Sequence, residues 1–235
     1  MATLVSAIET KVRLRLEEPT AKFWSSDELV GMIADGIRDL WRDIVDLKQE
    51  HFITVSTSVS LAASTATMSS VPSDVHKIVM ITPQDVTDDS ANADLIFRPA
   101  DYNSDDFQNA LSIDAVEPSN NVLYYAITGS GGPVAAPTIY VAPQVSTGLT
   151  LKFAYVPVLG TISAATTVPI PGEVDNALVA WTVAYARAKE REDRAPDPGW
   201  LSVYATEKAH IIKSLGVRQY QEPMKADAFF QNYWT

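Results

Sequence analysis

Apolar residues fall at Leu4, Ile8, Val12 and Leu16, a spacing of four that predicts a first helix ended by Pro19. A second stripe follows in Leu29, Ile33, Ile37, Leu40, Ile44 and Leu47, widened by Trp41, with Asp35, Arg38, Asp39, Arg42 and Asp43 on the opposite face. Its start is well specified. Ser25 stands three residues before Glu28, the spacing of a capping box, and Trp24 and Leu29 are placed to staple the entry. From Phe52 the period shortens toward two and β-branched residues take over. Strands are predicted over Phe52–Leu61, His76–Thr82, Asp94–Pro99, Asn121–Thr128, Thr138–Ala142 and Leu149–Val156. The stretch ADYNSDDFQNALS reads as one short helix or as loop, and TGSGGP reads as a hairpin loop.

Helical periodicity returns after Pro169. Val174, Leu178, Trp181 and Tyr185 share a face that Ala177, Ala184 and Ala188 allow to be approached closely. The breaker APDPG sets Asp197 as N-cap and Pro198 at the first helical position, and Leu201, Tyr204, Ile211 and Leu215 form a last stripe, ended by Gly216. Each stripe needs a partner, because a single-faced helix is unstable alone. The expected class is therefore α+β: a four-helix bundle formed by the N- and C-terminal helices, with an inserted antiparallel β module of sandwich or barrel-like form. The expected divisions are residues 1–52 and 169–216 for the bundle, 53–168 for the β module, and 217–235 for a C-terminal arm.

Composition supports a globular chain of 235 residues, 46% apolar and 20% charged. Without cysteine it has no disulfide framework and no thiol nucleophile. No apolar run reaches the length of a membrane span, and Glu9 and Lys11 interrupt the N-terminal apolar pattern. The net charge of −11 is uneven: −3 over residues 1–52, −7 over 53–170 and −1 over 171–235. Such a surface repels phosphate, so stable nucleic-acid binding is not expected.

A search for chemistry finds little. His51, His76 and His210 sit in separate segments without metal-ligand spacing. The GSGG from Gly129 to Gly132 lacks the Lys-Ser/Thr of a phosphate loop. Asp85, Asp88, Asp89 and Asp94 lack the spacing and closing Glu of a calcium loop. No carboxylate pair stands out, so neither a catalytic site nor a cofactor or metal site is assigned. What does stand out is the tail, where Tyr220, Phe229, Phe230, Tyr233 and Trp234 supply aromatic anchors suited to a partner or a neighbouring subunit.

The order of these features resembles the phage head-to-tail adaptor (neck ring) family. Its helix start is matched by Trp24, Ser25, Asp27, Glu28 and Leu29, with Ser26 as an extra residue. Its entry to a strand is matched by Val71, Pro72 and Asp74, and its strand pair by Tyr140, Pro143, Leu151 and Tyr155. Its later helix is matched by Pro171, Glu173, Ala177, Leu178, Ala184 and Ala188. The resemblance covers most of residues 1–215. It implies a non-enzymatic virion protein, made in the host cytoplasm and placed at the head–tail junction as a dodecameric ring. Its partners would be the portal protein, further copies of itself and a downstream tail or nozzle protein, with DNA passing through unbound and no membrane involved. Another neck or tail-completion protein is the neighbouring reading. A glycan- or receptor-binding β module on a helical mount is the reading from a different class.

Overall fold

The computed structural model describes residues 3–84, 95–118, 122–129, 136–191 and 195–218. The fold is α+β and divides into two compact units, Met1–His51 with Leu159–Thr235, and Phe52–Val158.

The first unit is helical: α1 (Val5–Arg15), α2 (Ser26–Lys48), α4 (Asp175–Glu190) and α5 (Pro198–Arg218). Its centre is the packing of α4 on α2, on α5 and on α1. This explains why α4 is buried on faces beyond the predicted stripe, with Ala177, Leu178, Ala180, Val183, Ala184 and Ala186 all out of solvent, whereas Tyr185 at the end of that stripe is exposed. The alanines set the distance. At Gly36 of α2 the approach is closer still, for a Cβ there would lie 2.7 Å from Trp181 Cδ1. On α2, Leu29, Ile33, Ile37, Leu40 and Ile44 form the buried stripe, but Leu47 is 58% exposed, so the stripe ends one turn early. On α1 the buried apolar residues are Val5, Ile8 and Val12, joined by the charged pair Glu9 and Arg13; Leu4, the N-cap in extended backbone, faces out.

Leu4 has no side chain with which to cap α1. Its place is taken by chain from the other end of the unit: Val5 N–H donates to Thr166 O and Ser6 N–H to Ala164 O, each at 3.0 Å. Ser25 caps α2 in a complete capping box, as its spacing predicts. Asp197 Oδ1 accepts from Gly199 N–H at 2.9 Å and Trp200 N–H at 3.3 Å, the expected cap of α5. Helix α5 does not end at Gly216 but runs on to Arg218. Its continuing backbone hydrogen bonds override the weak helix preference of that glycine.

The second unit holds two sheets, ordered β2-β1-β7-β3 and β4-β5-β6. The strands are β1 (Thr54–Leu61), β2 (Met68–Ser69), β3 (Val75–Pro83), β4 (Ile96–Pro99), β5 (Val122–Thr128), β6 (Thr138–Ala142) and β7 (Leu149–Pro157). Alternation sends Val59, Leu61, Ile81, Leu151 and Phe153 of the first sheet, and Leu123, Ile139 and Val141 of the second, into one core. A bridge between Thr67 and Tyr140 and the Val141 N–H to Ala66 O bond (2.7 Å) join the sheets along one side, curling them round that core.

Strand pairing is antiparallel, as the sequence predicts, with one departure: β4 and β5 run parallel. The reason is the connection. The short helix α3 (Asp105–Leu111), capped by Ser104, crosses between β4 and β5 and allows the chain to re-enter in the same direction. Phe107 and Ala110 of α3 pack on Ala126 and Ala142.

Candidate functional site

Among the described residues, no group of three or more His, Asp or Glu side chains is arranged to hold a metal ion. Nor is any helix among them long and apolar enough to cross a membrane. The predicted anchors Tyr220, Phe229, Phe230, Tyr233 and Trp234, and the acids Asp85, Asp88, Asp89 and Asp94, lie outside the described residues. What the structure brings together instead is a set of polar clamps that lock each helix of the helical unit to another.

One clamp joins α1 to the start of α2. Arg13 is only 7% exposed and Glu9 9%, and the two are paired at 2.9 Å. Arg13 also donates to Trp24 O at 3.1 Å, and Ser26 donates to Glu9 Oε1 at 2.8 Å. Buried charges of this kind persist only when paired and hydrogen-bonded, as here. Just before α2, Glu18 gathers the N–H groups of Lys22, Phe23 (2.6 Å) and Trp24 (3.2 Å). Desolvation works against its charge, but these three bonds outweigh it and hold the carboxyl below its ordinary range.

A second clamp ties the N-terminus of α2 to the C-terminus of α4. Lys189 pairs with Glu28, the capping-box glutamate, and its ammonium stands 4.8 Å from the centre of the Trp24 ring. The Lys189 bond and then those from Ser25 lower the Glu28 pKa. The motif residues Trp24, Ser25 and Glu28 thus do two jobs: they start α2 and receive α4. At the other end of α4, Lys11 of α1 reaches Asp175 at 2.5 Å.

The third clamp joins α2 to α5. Tyr204 O–H donates to Asp39 Oδ2 at 2.5 Å, and Lys208 Nζ donates to Asp39 at 2.7 Å and to Asp43 at 2.6 Å. Burial tends to raise the Asp39 pKa, but the Lys208 and Tyr204 bonds and the neighbouring cations bring it below the ordinary carboxylate range. Burial and the facing carboxylate push the Tyr204 phenol well above its ordinary value. Burial disfavours the Lys208 charge, yet the two aspartates raise its pKa overall. Asp39 and Asp43 are therefore not a freely solvated face, as their helical position suggests; side chains of α5 engage both, leaving them partly exposed.

In the β unit, Tyr155 O–H donates to Asp74 Oδ1 at 3.1 Å, while Asp74 O accepts from Val158 N–H at 2.6 Å. Two residues 81 positions apart, drawn from separate motifs, thus fasten the start of β3 to the end of β7. Sequence reading placed both in motifs but did not pair them, because only the antiparallel register of β3 on β7 brings them together.

The clamps described above join elements of the chain to one another. No curated protein matches the chain. The SU10 adaptor protein family matches it over residues 3–226, spanning both units and nearly the whole sequence. The capped helix α2, the Asp74–Tyr155 fastening and the alanine-rich helix α4 all fall within that span, and this chain belongs to the SU10 adaptor protein family, a family of phage head-to-tail adaptors.

Proposed function

We propose that this chain is the head-to-tail adaptor of a tailed phage, forming a dodecameric ring beneath the portal that joins the capsid vertex to the tail and lets DNA pass. The family match over residues 3–226 is the observation that carries this reading. In this reading α1, α2, α4 and α5 act as a four-helix bundle in the ring wall, and residues 52–158 face a neighbouring component. The clamps fit the task. A ring subunit transmits load without deforming, and ion pairs between helices resist sliding where an apolar seam alone would permit it. A copy charged −11 also lends a channel wall that repels DNA and does not hold it.

The aromatic residues of the tail, Tyr220, Phe229, Phe230, Tyr233 and Trp234, are proposed as anchors on the portal or a neighbouring subunit. Because α5 extends to Arg218, the arm in this reading begins at residue 219. Gradient sedimentation of the chain mixed with portal rings tests the proposal. The full chain is expected to co-sediment with the portal, and a chain truncated after Arg218 to keep its melting temperature but lose attachment. A full chain that stays at the top of the gradient would overturn the adaptor reading. A truncated chain that still attaches would overturn the role given to the tail.

A further inference from the structure

We infer that neighbouring copies meet head to tail through opposite sides of the helical unit. The α1 ridge of one copy, Leu14 flanked by Lys11 and Arg15, would seat in the groove between α5 and the turn before α4 of the next. This rests on the ring reading above and names its seam.

The helices fix the two sides. Both α1 and α5 pack on the α2–α4 pair, and among the described residues they make no substantial contact with each other, so each keeps an outer face of its own. On the α1 side Leu14 is 65% exposed, more than any other large apolar residue of the described chain. It sits between the exposed cations Lys11 and Arg15. On the α5 side a groove of about 460 Å³ is lined by Glu173, Glu207, His210 and Ser214, with the apolar floor supplied by Ile211, 4% exposed.

Charge and height both match. One side offers the unpaired cation Arg15, with Lys11 already held by Asp175, beside an apolar side chain; the other offers two carboxylates around an apolar floor. Arg15, Glu173 and Glu207 have no ion-pair partner among the described residues of their own chain. Both sides lie at the same end of α4: Lys11 touches Asp175, its first residue, and Glu173 stands in the turn just before it. A contact between two different faces at one level, repeated by rotation, gives a ring when the rotation closes, which is the case the ring reading requires. A two-fold contact of α1 on α1 would instead oppose Lys11 and Arg15 to their own copies.

The chain has no cysteine of its own, which makes cross-linking direct. A full-length variant carrying both Leu14→Cys and Ser214→Cys, oxidised mildly in its assembled state, is expected to give a covalent ladder beyond the dimer on a non-reducing gel. Leu14→Cys alone is expected to give none. Native mass spectrometry of the same samples separates the possible failures. Multimers without a ladder would overturn this seam and leave the ring reading standing, whereas a chain that stays monomeric with portal rings present would overturn both. A dimer band from Leu14→Cys alone would show a two-fold contact and overturn the head-to-tail arrangement. Independently, Arg15→Glu and Glu207→Arg are each expected to lose multimers, and the two together in one chain to recover them. Failure of that recovery would contradict the charge match.

Discussion

Helix α2 carries two glycines in different surroundings, and comparing them isolates the contact that sets the spacing of the helical unit. At Gly31 an added Cβ meets nothing within 4 Å. At Gly36 it would lie 2.7 Å from Trp181 Cδ1, 3.0 Å from Trp181 Cγ and 3.3 Å from Leu178 Cδ2. Both positions are interior to the helix, so replacing glycine by alanine gains about 1 kcal/mol of helix propensity at either. At Gly31 that gain stands alone. At Gly36 it is offset by the cost of pushing a tryptophan out of a packed seam, about 1–3 kcal/mol for overpacking of this kind. The propensity contribution cancels between the two variants, so the difference between Gly31→Ala and Gly36→Ala reads the steric cost directly. For a chain of this size 1 kcal/mol moves the midpoint by about 2–4 °C. Calorimetry should therefore show Gly31→Ala melting above the parent and Gly36→Ala below the Gly31 variant by about 2–12 °C. Equal stabilisation by the two substitutions would refute a crossing of α2 and α4 at Gly36.

Removing Arg13 by Arg13→Ala leaves Glu9 buried without its partner and should cost about 3–5 kcal/mol in chemical denaturation, with Glu9→Gln added to it recovering part of the loss. Asp39 has a folded pKa below its unfolded value, so its contribution is present above about pH 4 and fades as pH falls through the lower folded pKa. A pH series of melting curves should show a flatter acid limb for Asp39→Asn than for the parent. Duplex DNA should bind negligibly at moderate salt in an anisotropy titration; submicromolar, salt-sensitive binding would contradict a repelling surface.

Most of the elements were legible because their signals are local. The capping box at Ser25 and Glu28, the cap at Asp197 and the alternation through β1, β3, β5, β6 and β7 are all written within a few neighbouring residues. The two-residue β2 is too short to show a period, and the parallel pairing of β4 with β5 depends on whether α3 forms between them. The polar clamps were least legible. Asp39 and Asp43 stand on what looks like the solvent face of α2, and only the arrival of Tyr204 and Lys208, some 165 residues later, gives them partners. Glu9 and Arg13 are spaced as an ordinary surface pair, and burial under the α2 entry was not signalled by either residue. Long-range pairing leaves no local pattern, which is why the apolar helix faces and the strand alternation could be foreseen and the polar links across them could not.

Electron microscopy of the purified chain mixed with portal rings tests the central claim most directly. The adaptor account predicts class averages with a closed ring of this chain coaxial with the portal, an open channel through both, and density for one helical unit per subunit around the wall. Portal rings left bare by a monomeric chain, or single copies attached without ring closure, would contradict it.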